Sequence, residues 1–221
     1  MKQIRTLGMA FVAMLALSAV VASAALAAPE FEGARGAEAK GTTFTGSTSS
    51  AKLTAVGTTI TCTGGSSSGE ITGKKTVGKV VVAFTGCEAN SGECKVKSPG
   101  AAEGEVKTDT LEGELGEVEQ SEASSKVGLD LKAAGKESFV TTEGSCLPFG
   151  GSAVTGSIIG EVSPVGRLES EGLLIYKAER GKQKIQKFIG GSQDVLKAFS
   201  IAEVVEETTE TVKFSKEIKV T

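Results

Sequence analysis

Four cysteines, Cys62, Cys87, Cys94 and Cys146, are the residues of this chain best equipped for chemistry. Cysteine can ligate metal, exchange electrons or close disulfides. Structural zinc sites and thioredoxin-like redox sites are built on Cys-x-x-Cys pairs or on histidine partners. Here the nearest two, Cys87 and Cys94 in TGCEANSGEC, enclose six residues, and the chain has no histidine. Neither a metal nor a redox site is expected, and no cofactor. An even number of cysteines behind an apolar leader points to disulfides. Three pairings are possible, and the expected one is Cys87–Cys94 with Cys62–Cys146. Asn90-Ser91-Gly92 would turn the short loop. Chain-entropy arguments give about 2.5 kcal/mol for closing it and about 4.6 kcal/mol for the long one.

Acid–base and nucleophilic options are few. Without histidine, Ser-His-Asp and Cys-His catalysis have no base. The richest carboxylate cluster is TLEGELGEVEQSE, residues 110–122. As a strand it turns Leu111, Gly113 and Leu115 inward and Glu112 and Glu114 outward. A glycosidase needs two carboxylates about 5 to 9 Å apart across a sugar. Glu112 and Glu114 meet the distance, but such clefts carry aromatic platforms, and this chain has one Tyr and no Trp. A solvated strand face is the expected reading. Calcium has little support, since the three aspartates, Asp109, Asp130 and Asp194, form no Asp-x-Asp loop. In YKAERGKQKIQKF, Arg180-Gly181-Lys182 reads as a hairpin turn. Lys182, Lys184 and Lys187 are candidate contacts for an anionic wall or extracellular polymer, set against an edge strand guarded by lysines.

These residues need a scaffold in a particular compartment. Residues 1–27 have a basic start (Lys2, Arg5), an apolar run to Val21, and small-residue cleavage patterns between Ala24 and Ala27. They read as a signal peptide. No second apolar stretch of spanning length follows, so no membrane association is expected after cleavage. The net charge of −3 gives no bias toward polyanions, and no nucleic-acid partner is expected. Residues 28–44 are expected to be a poorly ordered arm.

From residue 45 to 221 the chain reads as one β-rich domain. The run KVVVAFTG is apolar on both faces, as a strand covered on two sides requires. In SAVTGSIIGEV, Val154, Ile158 and Val162 share a face. In TVKFSKEIKV, Val212, Phe214, Ile218 and Val220 do, with Lys216 the break. KVGLDLK and GLLIYKAE fit short strands, and recurrent Thr-Gly pairs mark turns. The best helix candidate is SQDVLKAFSIAEVVEE, with Ser192 as N-cap. The fold class expected is all-β, an antiparallel β-sandwich or barrel stapled by disulfides.

GKVVVAFTGCE, TLEGELGEV, VGLDLKAAG and ERGKQKIQKFIGG resemble a large family of secreted, uncharacterised proteins of soil actinobacteria. The likeness runs from about Lys52 to the C-terminus. It implies an extracytoplasmic β-rich protein and carries no catalytic residues over. The functional expectation is a secreted, non-catalytic protein with a structural or binding role at the cell envelope or outside the cell. A carbohydrate- or wall-polymer-binding module is the first alternative, and a glycan hydrolase using Glu112 and Glu114 the second.

Overall fold

A computed structural model describes residues 28–221, apart from 56, 90, 91, 93 and 121–124. The expected signal peptide at 1–27 lies outside the described residues. Nineteen strands fall within them, numbered here in chain order. Eight form a closed antiparallel barrel: β2 (Thr43–Thr48), β5 (Gly64–Ile71), β6 (Thr76–Thr85), β10 (Leu111–Gln120), β11 (Ser125–Ala133), β14 (Ser157–Ser163), β15 (Glu169–Tyr176) and β19 (Ala202–Val220). Each pairs with the next in this order, and β19 returns to β2 through Val212↔Gly46 and Phe214↔Phe44. The all-β, barrel-type fold expected from the period-two runs is therefore present, with two disulfides.

Successive barrel strands alternate direction, so their connections fall at two ends. At one end they are brief, as in residues 72–75 and 164–168. At the other, every connection carries extra strands. These are β3 (Ala51–Ala55) and β4 (Thr58–Cys62); β7 (Glu88–Ala89), β8 (Cys94–Lys95) and β9 (Val106–Lys107); β12 (Ser138–Glu143) and β13 (Gly151–Thr155); and β16 (Ala178–Glu179), β17 (Lys182–Gln183) and β18 (Leu196–Ala198). Strand β19 is long enough to leave the barrel and pair with β18 and β3. Around it, β12, β13, β18, β19, β3, β4, β7 and β8 follow one another, and a Lys97↔Glu143 bridge joins the two ends of that series. The barrel thus bears a cap of short strands at one end.

Alternation explains the barrel's core. Leu111, Leu115, Leu129, Leu131, Ile158, Leu174 and Val212 point inward and are buried. Thr43, Thr45, Glu112, Glu114 and Lys213 point outward and are exposed. That sidedness is the reverse of an outer-membrane barrel, whose apolar face is external. No helix among the described residues is long and apolar enough to cross a membrane. Inward glycines make room for large neighbours. A Cβ on Gly160 would meet Leu174 at 2.6 Å and Tyr176 at 2.8 Å, and one on Gly69 would meet Phe44 at 2.5 Å.

Four expectations are corrected. Residues 28–44 are not a loose arm: β1 (Phe31–Gly33) pairs with Val220, Lys219 and Ile218, and Phe31 and Ala39 are buried. Their small residues hid this packing, because only Phe31 announces it. Residues 192–207 are not a helix. They supply β18 and the start of β19, where β-branched residues and the left-handed Phe199 and Ser200 fit a tight hairpin. SAVTGSIIGEV is two strands, because Gly156 (φ 100°) turns the chain between β13 and β14.

The fourth correction matters most for the cap: the disulfides are Cys62–Cys87 and Cys94–Cys146. Thr61 sits opposite Glu88 across β4 and β7, which places Cys62 opposite Cys87, with Cα atoms 4.0 Å apart. In the β7–β8 hairpin Cys94 lies opposite Ala89, while the Val96 N–H donates to the Cys87 carbonyl. Cys87 and Cys94 are thus diagonal rather than facing. Cys94 reaches Cys146 instead, in the connection after β12. Two disulfides place the folded chain in an oxidising, non-cytoplasmic environment.

Candidate functional site

The barrel lumen is the best-formed cavity, with a volume of about 90 Å³. Most of it is walled by apolar side chains. Six of the chain's aromatic residues contribute: Phe31, Phe44, Phe84, Phe139, Phe214 and Tyr176. Phe44 and Phe214 meet edge to face, ring centres 6.2 Å apart. The sequence's poverty in aromatics therefore conceals a concentration of them at one place.

Strand β19 lays a row of inward residues along the lumen: Glu206, Thr208, Glu210, Val212 and Phe214. Two of the five are carboxylic acids, and both are buried. Glu210 has a partner, since the Ser67 hydroxyl hydrogen-bonds its carboxyl. Burial pushes the Glu210 pKa up, and Ser67 holds it partly back. Glu206 is 5% exposed, and among the described residues nothing hydrogen-bonds or ion-pairs with its carboxyl. Only its backbone is held: its N–H donates to Gln183 Oε1 (2.9 Å), and its carbonyl accepts from Gln183 Nε2 (3.2 Å). Burial, with the charge of Glu210 added, pushes the Glu206 carboxyl up from 4.5 to about 8. Tyr176, across β15, is driven well above its ordinary value by burial and then by Glu206, Glu210 and Asp130. At neutral pH this end of the lumen holds Glu206 as a neutral acid in an apolar wall.

The lumen has a mouth at the other end. Between Glu169↔Ile218 and Glu171↔Lys213 the β15–β19 register jumps, leaving residues 214–217 outside the ladder. The lining reaches the exposed Arg167, Glu169 and Glu171 at this gap. Glu171 is paired with Lys213 at 3.0 Å.

Outside the barrel wall, Asp130 is the other perturbed acid. Its Oδ1 is buried without a hydrogen-bond partner. Burial raises its pKa to about 6, opposed by a hydrogen bond from Ser157 and helped by the nearby Asp194.

The residues singled out from sequence do not join this site. Glu112 and Glu114 lie exposed on the outer face of β10, and Glu112 is 3.7 Å from Lys132. They have no cleft between them. The Arg180-Gly181 turn is real, both residues being left-handed between β16 and β17. Lys182, Lys184 and Lys187 are exposed, while Gln183 and Phe188 between them anchor the segment. Gln183 is buried against β19, and Phe188 sits over Gly116 and Gly128. The four cysteines are structural, in two disulfides.

Glu206, Glu210 and Tyr176 were missed. A signal was present: in VVEETTETVKF the alternation Val204, Glu206, Thr208, Glu210, Val212, Phe214 continues the face of the last strand backwards. Assigning 192–207 to a helix hid it.

No family model, curated protein or solved structure matches this chain.

Proposed function

We propose that this is a secreted, non-catalytic binding protein whose barrel lumen takes up a small, largely apolar ligand outside the cytoplasm. The carrying observation is the aromatic-lined lumen, with its mouth between β15 and β19. Ligand sites are typically concave and apolar with a few placed polar groups. The volume bounds the ligand: an engineered cavity of about 150 Å³ holds benzene, so about 90 Å³ suits a smaller molecule. Disulfides support the extracytoplasmic setting. The absence of histidine and the solvated position of Glu112 and Glu114 support a non-catalytic role.

Calorimetric titration of the intact protein with butanol-sized neutral solutes tests the binding half. Saturable 1:1 binding is expected, and it should be lost when Val82, which lines the lumen, is replaced by Phe to fill it. Binding that survives this replacement contradicts the site. Fractionation tests the location: recovery from the medium or envelope is expected, and recovery from the cytoplasm contradicts it.

A further inference from the structure

Resting on that reading, we infer that the lumen ligand is a small organic cation, an alkylammonium ion whose charged head pairs with Glu206 and whose apolar part lies against the aromatic wall. Three observations converge. Glu206 is 5% exposed, lines the cavity, and has no hydrogen-bonding or cationic partner among the described residues. An unpaired carboxyl in an apolar cavity is costly, and a complementary charge relieves that cost. Aromatic faces attract cations through the ring quadrupole, and Phe84, Phe139, Phe214 and Tyr176 line the same space. No lysine lines the cavity, and the one arginine that does, Arg167, is exposed at the mouth.

Inside the lumen the ionisable groups around Glu206 favour a cation, and those at the mouth are of both signs. On its own strand there is Glu210. On the neighbouring strand β15 there is Tyr176, neutral at working pH, with Asp130 acting on it from behind the wall. At the mouth, Glu169 and Glu171 stand beside Arg167, with Lys213 paired to Glu171. The interior therefore carries acids only.

Proton and cation compete for Glu206. In the empty lumen its carboxyl is neutral below about pH 8. Binding an ammonium ion ionises it and releases one proton to solvent. A small alkylammonium, like a lysine side chain, stays charged to about pH 10. Cation affinity must then rise roughly tenfold per pH unit from 6 toward 8, and level off above. A neutral alcohol of the same size shows no such slope.

The test is calorimetric titration of the intact protein with n-butylammonium and with 1-butanol between pH 6 and 9. Butylammonium should bind at least about tenfold more tightly at pH 8 and release one proton at pH 7. Glu206→Gln should remove that preference over 1-butanol and its pH slope. Glu206→Asp, which keeps the charge but withdraws it, should retain the slope with weaker affinity. The wild-type comparison stands even if a variant fails to fold. Equal affinity for amine and alcohol, or amine binding without a pH slope, overturns the cation inference and leaves the apolar lumen standing. Failure of both probes to bind overturns both.

Discussion

Barrel and cap are built from the same kinds of residue and are held together differently. The barrel wall has long strands, such as β6, β10 and β19, in a ladder that closes on itself and leaves no edge. The cap has strands as short as Glu88–Ala89 and Cys94–Lys95, and both disulfides sit there. Its interior, lined by Leu53, Ile60, Val140, Leu147, Val154 and Val204, encloses about 60 Å³ and no acid. The barrel's lumen is larger and holds two buried glutamates. The closed ladder encloses the larger cavity and the buried acids, and the short strands of the cap enclose a smaller, acid-free one. Covalent bonds do for the cap what hydrogen-bonded closure does for the barrel. Strand β19 belongs to both, and Glu206 stands where the cap interior gives way to the lumen.

That contrast predicts different responses to mutation. Replacing Cys94 and Cys146 together by Ser opens a loop of sequence separation 52 and should cost about 4 kcal/mol. Denaturant titration reads the total, and hydrogen exchange locates it. Protection should fall in β12, β13 and β8 and persist in β5, β6 and β10. An equal loss throughout would show that barrel and cap unfold as one unit.

Acid in the lumen makes the barrel pH-sensitive in a definite direction. Glu206 titrates near 4.5 when unfolded and at about 8 when folded, so the folded state holds the extra proton between those values. Its contribution is fully present below pH 4.5 and is lost as pH rises toward 8. The loss is on the order of a few kcal/mol. Glu206→Gln should flatten the stability profile from pH 5 to 8. A wild-type profile that rises over that interval would contradict the assignment.

Smaller effects sharpen the picture. Gly46→Ala would put a methyl group into the Glu210 carboxyl and the Ser67 hydroxyl. Overpacking of this kind costs about 1–3 kcal/mol, measured as a lower denaturation midpoint. A neutral Gly46→Ala would mean the lumen is looser than described. Smallest of all, Glu112→Gln removes an exposed partner of Lys132 and should change stability by less than about 0.5 kcal/mol. Loss of ligand binding in that variant would return function to the outer face.

Much of the barrel was legible in the sequence, since period two is a local signal. Val212, Ile218 and Val220, or Leu111 and Leu115, announce their face without knowledge of any partner. Pairing across the chain was not. Cys62 meets Cys87 only because β4 lies beside β7, a register that the spacing of cysteines does not contain. The site was hidden for a related reason. Glutamate reads as solvent-facing in a strand, and only closure of the barrel turns Glu206 and Glu210 inward. Glu112 and Glu114 illustrate the opposite outcome from a similar pattern.

The most direct measurement is carboxyl carbon NMR of Glu206 in the intact protein at pH 7, with and without saturating n-butylammonium. The account predicts a protonated carboxyl in the empty protein, an ionised one in the complex, and shifted Leu174 and Val212 methyl signals. A Glu206 carboxyl already ionised in the empty protein, or one unchanged while butylammonium binds, would contradict it.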